Sequence, residues 1–584
     1  MALTKVSPQM QSRDFETVVA LLADTTLSYS PEGTQTTKEG DTVLTREEGF
    51  AYKVASQGAS DEHVTTAGGV KMYVQAGSSG YDPRAFGAIG DGVADDTAFV
   101  SAAAQEGNVN LLHGYFKITS TVTLPRETRT FYGKGGSDIL FSPSVAPDNA
   151  FYLERINGTE GLVVFNNVTA VTDVVDAGAF LEVAETRVAA GAFVVGAYDI
   201  ARLQGCIIKN SGTGYWRNMV RSVNAGGVVV SQTTAANFNN VTAQADTDTS
   251  AIAIINDNPN ANVIRALHWD QSYTQRFRNA VYVYTVNGVE SVYLGQGEMV
   301  GHYYGLRLEG TGKLGAVRIN GTHMDCITSN IRTETGTNLN ALRATGHDLR
   351  LGANGAALDN LGINIRIHAG NYCSIVGGFF DAASTSTGQK GIVVVNSIPG
   401  LVVAGNNFRG QILGIEGVSL TRATFDNNEF EGVATEYSLA ANNAGVNVDS
   451  AAYVDANRYA GNLDTLAGPK TALTCVTTTT GATNIPAGVN VTGNFVMTKV
   501  FDANAAYQLL TPINGRSGDF WRKKSSGVWG SWQQQIVGTS TGWAAATGTG
   551  SRATFDTSTV TTAELAGRVK SLIEDLTTRG ILGA

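Results

Sequence analysis

Cysteine, proline and charge are all scarce in this 584-residue chain, and each scarcity removes a class of protein. The four cysteines, Cys206, Cys326, Cys373 and Cys475, stand singly with no CxxC pair. That excludes a thiolate zinc site or a dithiol redox motif and is the pattern of small buried thiols made in a reducing compartment. Proline numbers 11 against 68 glycines, so strand interiors are free of the residue that breaks a hydrogen-bond ladder. Charged residues are only 16%, too few for the Glu- and Lys-rich helices of a bundle. The net charge is −10 with no basic block, which excludes a phosphate-tracking nucleic-acid groove. Residues 1–11 lack a basic start followed by an apolar stretch, and the nearest apolar run, Val18 to Ala23, is far too short to cross a bilayer. Neither a secretory leader nor membrane insertion is therefore expected.

What fills the chain is Gly, Asn, Thr, Ser, Ala and Val, the material of short β-branched strands and tight turns. Residues 1–80 read as a small separate module, with a short helical pattern from Phe15 to Ala23 and strand-like stretches at 41–46, 50–54 and 68–74. Residues 81–465 form the bulk, where strand-like runs recur between Gly, Asn, Asp and Thr. Residues 466–538 alternate Thr and Val and end in Phe520, Trp521, Trp529 and Trp532, a compact β-rich knob. Residues 539–584 are a Gly/Ser/Thr linker and a final helix, Ala563 to Arg579, capped by Thr561 or Thr562 and stopped by Gly580.

The bulk repeats. The stretch from Val317 through Gly321 to Asp325 aligns with Cys373–Gly377–Asp381, Leu401–Gly405–Arg409 and Ala423–Asn427–Glu431. Upstream it aligns with Val292 to Val300 and, more loosely, with Ile264 to Asp270. Successive repeat ends fall at 270, 300, 325, 350, 381, 409 and 431. A period in this range marks a solenoid, here one turn of a parallel β-helix with variable loops and strands stacked about 4.8 Å apart. No regular Leu and Asn grid supports a leucine-rich repeat.

The segment Asp82-Pro83-Arg84-Ala85-Phe86-Gly87-Ala88-Ile89-Gly90-Asp91-Gly92, followed by Asp95-Asp96-Thr97, closely resembles the opening signature of the pectate-lyase-like β-helix superfamily. The stretches Asn110 to Ile118, Thr123 to Pro125 and Tyr132 to Gly135 continue it, with His113 where that family often has proline. The resemblance implies a right-handed parallel β-helix in which a helix from Thr97 to Gln105, capped by Asp95 or Asp96, plugs the open end. The layout as a whole resembles bacteriophage tailspikes, including capsule depolymerases. That implies an N-terminal attachment module bound to the phage tail or to another receptor-binding protein, and a catalytic coil. It also implies a C-terminal trimerising region, a homotrimer, a place in the virion, and a bacterial surface polysaccharide as partner.

The densest polar cluster lies between 265 and 326, where Arg265, His268, Trp269, Asp270, Tyr273 and Arg276 precede Glu298, His302, Tyr303 and Tyr304, and then His323 and Asp325. Flat aromatic rings beside polar groups suit the apolar and hydroxyl faces of sugars, so His268, Trp269, Tyr273, Arg276, His302, Tyr303, Tyr304 and His323 are the candidate substrate-binding residues. In this phasing Asp270 and Asp325 sit two coils apart, with Glu298 between them and two positions offset. Retaining glycosidases need carboxyls about 5 Å apart and inverting ones about 6.5–9.5 Å, and both spacings are available among Asp270, Glu298 and Asp325. One carboxyl would protonate the glycosidic oxygen while another activates water or attacks the anomeric carbon. The rival chemistry is β-elimination from a uronic acid, with His268, His302, His323, Tyr303 or Arg276 taking or balancing charge. Asp381 and Glu431 are read as turn-capping carboxylates, His347 and His368 as turn or core residues, and Tyr282 and Tyr284 as ordinary strand residues. No cofactor or metal is expected.

Overall fold

The computed structural model describes residues 13–29, 37–156, 161–186, 200–238, 249–257, 267–351, 362–382, 388–396 and 398–439, then 447–448, 473–476, 494–500, 506–512, 519–525, 528–535, 561–562, 564–565, 568 and 572. The chain forms two compact units, Met1–Ala444 and Gly445–Ala584.

The first unit is a right-handed parallel β-helix. Each rung lays strands on three faces, here A, B and C. Face A is an unbroken parallel order from Val109–Asn110 to Thr424–Asp426. Faces B and C belong to one sheet that bends at a corner: residues 323–326 of the strand Thr322–Thr333 pair with Asp348–Leu351, whereas residues 329–332 pair with Ile363–Ile367. Inward positions stack in columns. Trp269, Leu294, Ile319, Ala344, Ile375, Val403 and Phe425 form one on face A. Met299, Met324, Leu349, Phe380, Phe408 and Phe430 form another on face B. The rings of Phe380, Phe408 and Phe430 lie nearly parallel, with centroids 4.5 and 5.0 Å apart. Each fully buried ring contributes roughly 1.5–3 kcal/mol by leaving water, so the columns carry the coil. Cys206, Cys326 and Cys373 are buried free thiols within it.

The turn from face A to face B is the sharpest feature of the rung. Its apex falls on Asn167, Gly205, Gln232, Gln271, Gly321, Gly346, Gly377, Gly405 and Asn427, all with positive φ. Glycine accepts that left-handed conformation freely and Asn tolerates it, whereas other side chains are strained there. The glycine spacing seen in the sequence is thus the spacing of these turns.

The opening signature closes the N-terminal end. Helix α1 spans Val18–Ala23 in the small N-terminal sheet, and helix α2 spans Thr97–Glu106, burying Val100, Ala103 and Ala104 over the first rung. The two aspartates divide the work. Asp95 Oδ1 accepts the Thr97 amide (3.0 Å), while the fully buried Asp96 turns back to accept the amides of Ile89 (2.8 Å) and Gly90 (3.1 Å). The N-terminal sheet packs on this cap through Tyr52, whose hydroxyl donates to the Ala85 carbonyl (2.9 Å), and through His63, whose Nε2 lies 3.0 Å from Glu106.

In the second unit, the strands Leu473–Val476, Asn494–Val500, Ala506–Pro512 and Asp519–Ser525 pair antiparallel in order, and Val528–Trp529 and Gln533–Gln535 both pair with the last of them. Arg522 is buried with its guanidinium over the half-buried rings of Trp529 (4.9 Å) and Trp532 (4.4 Å). Thr561 and Glu564 make a reciprocal capping box at the start of the final helix, most of which lies outside the described residues.

Candidate active site

On face B the outward positions stack as two adjacent columns. One runs Tyr273, Glu298, His323, Asp348, Phe379, Asn407, Glu429. The other, two residues further along each strand, runs Gln275, Val300, Asp325, Arg350, Asp381, Arg409, Glu431. The repeat ends expected at 300, 325, 350, 381, 409 and 431 are thus one column of the structure, and from Asp325 onward it alternates acid and guanidinium.

The polar density peaks over three rungs. His323 Nδ1 lies 3.0 Å from Asp348 Oδ2, and Arg350 grips the same carboxylate through Nη2 at 3.2 Å and Nε at 3.3 Å. That pairing raises the guanidinium pKa of Arg350 above its ordinary value. Asp325 and Asp381 flank Arg350 in its column, one rung to either side. The strand spacing puts their backbones about 9.6 Å apart. Burial pushes the Asp325 carboxyl up from its ordinary range, with Asp348 and Asp381 adding to the push and His323 and Arg350 opposing it. Asp381, half-buried, has no hydrogen-bond or ion-pair partner among the described residues. Two carboxylates therefore stand two rungs apart in one column with Arg350 between them, the first with its pKa raised. Among the described residues no group of three or more His, Cys, Asp or Glu is placed to hold a metal ion.

The residues singled out from the sequence scatter around the coil. Glu298 and Asp325 share face B with the offset expected, and Tyr273 and His323 lie in the Glu298 column. Asp270 does not join them. It ends a face A strand, its position stacking on Ser231, and its Oδ1 accepts the Gln296 amide at 3.0 Å. The residue of that coil in the Asp325 column is Gln275. The cause is the turn: Gln271 occupies the left-handed apex that Gly321 marks elsewhere, so no glycine announced it and the phasing slipped by five residues.

Three expected sugar contacts are also corrected. Trp269 is fully buried in the face A core column. His302 is fully buried, its Nδ1 3.2 Å from the Phe277 amide nitrogen and 3.1 Å from the Phe277 carbonyl oxygen, and its Nε2 3.1 Å from Thr274 Oγ1. Tyr304 is 6% exposed and covered by the guanidiniums of Arg307 (5.4 Å) and Arg332 (5.3 Å). Arg276, at positive φ beyond face B, donates to the Phe238 carbonyl, and Tyr303 is half-buried. His268 lies on face A with its ring stacked on Tyr293. Arg265 lies outside the described residues. Asp348, Arg350 and Asp381 were missed as site residues, although the repeat ends at 350 and 381 placed two of them beside Asp325.

Face C carries a third charged group. Arg307 and Arg332 converge on Glu334 Oε1 at 3.0 and 2.9 Å, and Arg307 also reaches Glu309 at 3.1 Å. These charges offset one another and tie two adjacent rungs together.

No family model and no curated protein matches the chain. Among solved structures it is similar to PfbA, a surface adhesin of Streptococcus pneumoniae, at 11% identity and a TM-score of 0.41, over 77% of this chain and 98% of that one. It is similar to tailspike protein 3 of bacteriophage CBA120 at 10% identity and a TM-score of 0.42, over 84% of this chain and 82% of that one. It is also similar to the gp42 tailspike of Acinetobacter phage vb_AbaP_AS12 at 13% identity and a TM-score of 0.39, over 94% of this chain and 100% of that one. At these identities the likeness concerns the path of the chain and not its chemistry.

Proposed function

We propose that this chain is a phage tailspike that binds a bacterial surface polysaccharide and hydrolyses it on face B. The observation that carries the reading is the pair Asp325 and Asp381, two rungs apart on an outward face, with the first carboxyl pushed toward its protonated form. Asp325 donates its proton to the glycosidic oxygen as the bond breaks, and Asp381 takes a proton from the water that attacks the anomeric carbon. The strand spacing sets the two backbones about 9.6 Å apart, which is nearer the carboxyl separation of inverting enzymes than the roughly 5 Å of retaining ones. Arg350, paired with Asp348, stands between the two acids in the column and would offer its guanidinium to the substrate's oxygens. Glu298 and Tyr273 extend the binding surface along the neighbouring column. In the same reading three chains assemble, the N-terminal module attaches the spike to the phage tail or to another receptor-binding protein, and cleavage takes place at the host surface.

A second reading rests on a different contact. His323 is held by Asp348 at 3.0 Å, with Arg350 alongside, an arrangement suited to removing a proton beside a carboxylate that the guanidinium neutralises. That would be β-elimination from a uronate. Purified capsules and O-antigens from a panel of bacteria, assayed for new reducing ends with the ultraviolet absorbance of an unsaturated product read in parallel, separate the two. Reducing ends without absorbance support hydrolysis. Reducing ends with absorbance move the chemistry to His323. No release from a polysaccharide that the protein binds sinks both and leaves a receptor-binding fibre.

A further inference from the structure

Face A carries an outward column that the site on face B does not use: Val229, His268, Tyr293, Arg318, Arg343 and Ser374 on successive rungs. The rings of His268 and Tyr293 are stacked at 4.6 Å between centroids and 23° between planes. Arg318 and Arg343 follow on the next two rungs, exposed and about 4.8 Å apart at the backbone. Neither guanidinium has an ion-pair or hydrogen-bond partner among the described residues. Two like charges on adjacent rungs repel, whereas the stacked pair Arg307 and Arg332 is offset by Glu334. Beside this column the outward neighbours are small: Ser291, Ala316 and Ala341, up to Tyr372, which is 65% exposed. The two arginine rungs and the one after them hold no carboxylate through Ala316–Asn320, Ala341–Thr345 and Tyr372–Val376, while on the Tyr293 strand Glu290 is exposed. Asp270, the acid at the end of the His268 strand, is turned onto the Gln296 amide.

The geometry points to face A as a second binding site, separate from the cleavage site, for a carboxylate-bearing polysaccharide laid along the coil. The two guanidiniums take successive carboxylates as charge-assisted hydrogen bonds. Tyr293 and Tyr372 lie at either end of the arginine pair and offer ring faces to the sugars. The shallow floor of Ser291, Ala316 and Ala341 runs parallel to the ridge. A second copy of the chain is the weaker occupant, because protein interfaces put an apolar, charge-depleted centre where this face has paired arginines among Ala, Ser and Asn. The inference rests on the reading of the chain as a polysaccharide-binding protein and names the charge class of what it holds.

Affinity electrophoresis of the full chain in gels containing alginate, a polyuronate, or neutral dextran tests it. Alginate is expected to retard the wild-type chain and dextran is not, with the retardation falling as salt rises. Arg318→Ala/Arg343→Ala should weaken alginate retention at least tenfold, and Arg318→Lys/Arg343→Lys, which keeps the charge, should recover part of it. Both side chains are exposed, so the variants should fold; sedimentation and circular dichroism confirm this. Absence of retardation by alginate, equal retardation by dextran, or unchanged retention in the double alanine variant overturns the proposal. So does a change of oligomeric mass in that variant, which would make face A an interface between copies. Asp325→Asn separates the two proposals. Retention that depends on the arginines, with no cleavage by any chain, leaves face A standing while the depolymerase reading fails; cleavage lost in Asp325→Asn with arginine-independent retention does the reverse.

Discussion

At Asp325, burial, with the nearby Asp348 and Asp381 carboxylates adding to it, raises the carboxyl pKa above its ordinary range, and this makes its titration testable in two ways. Asp325→Asn keeps the shape and removes the transferable proton, so kcat should fall by about 10²–10⁴, the usual worth of a positioned general acid. The wild-type activity should decline as pH rises through the raised carboxyl pKa, and that alkaline limb should vanish in the variant's residual rate. Because the folded pKa is raised, ionisation of Asp325 costs stability as pH rises past it. Asp325→Asn should therefore melt no lower than wild type at neutral pH, as expected where function is placed at the expense of stability. The buried imidazoles behave in the opposite sense. Burial lowers His302 and His347 to about 4, so the folded chain keeps both neutral. Below the ordinary histidine value the unfolded chain binds protons that the native state refuses. Stability is full above about pH 6.5 and falls progressively toward about pH 4, by on the order of 3 kcal/mol for each ring. Thermal melts at pH 7.5 and 5 should show the loss, and His347→Leu should reduce it.

The strand-and-turn element explains what was legible in the sequence. The glycines at 321, 346, 377 and 405 marked the left-handed apex of the turn between faces A and B, and phasing on them placed Asp325 in the column that the structure shows. Where glutamine fills the same apex, at Gln232 and Gln271, the sequence held no such mark, and Asp270 was assigned to the wrong face. Inward and outward positions alternate too regularly for composition to say which aromatic is core: Trp269 and His302 looked like sugar contacts because aromatic residues serve both purposes. A Cβ at Gly377 meets nothing within 4 Å, so Gly377→Ala isolates the backbone cost of the apex, about 1–2 kcal/mol. At Gly378 the same methyl runs into the His347 ring, and Gly378→Ala should cost more, since a well-packed core resists the added volume. Replacing Gln271 with glycine should stabilise the coil. Unfolding rates of the three variants, compared with wild type, give the order.

For the whole molecule, the opening signature and the repeats pointed to a parallel β-helix, and that is the fold of the first unit. The chain divides after Ala444, whereas the coil was expected to run to 465. Oligomeric state was legible only through the resemblance to tailspikes, because a stacked column within one chain carries no imprint of its neighbours. The homotrimer proposed here should sediment with the mass of three chains. A monomer at micromolar concentration would remove that part of the reading.

The backbone hydrogen bonds that join one rung to the next point along the coil, so a pull between its ends loads them head-on and opens the coil like a zipper. Resistance at each step then depends on how many residues the departing rung shares with the next. The central strands Gly297–Glu309 and Thr322–Thr333 are long, whereas Asn407–Arg409, Thr424–Asp426 and Glu429–Glu431 have three residues each. Stretched in an optical trap, the coil should begin to peel from its C-terminal end at low force and stall near the rungs that carry Glu298 and Asp325. The rungs that carry Glu298 and Asp325 would then be the last to yield under such a load.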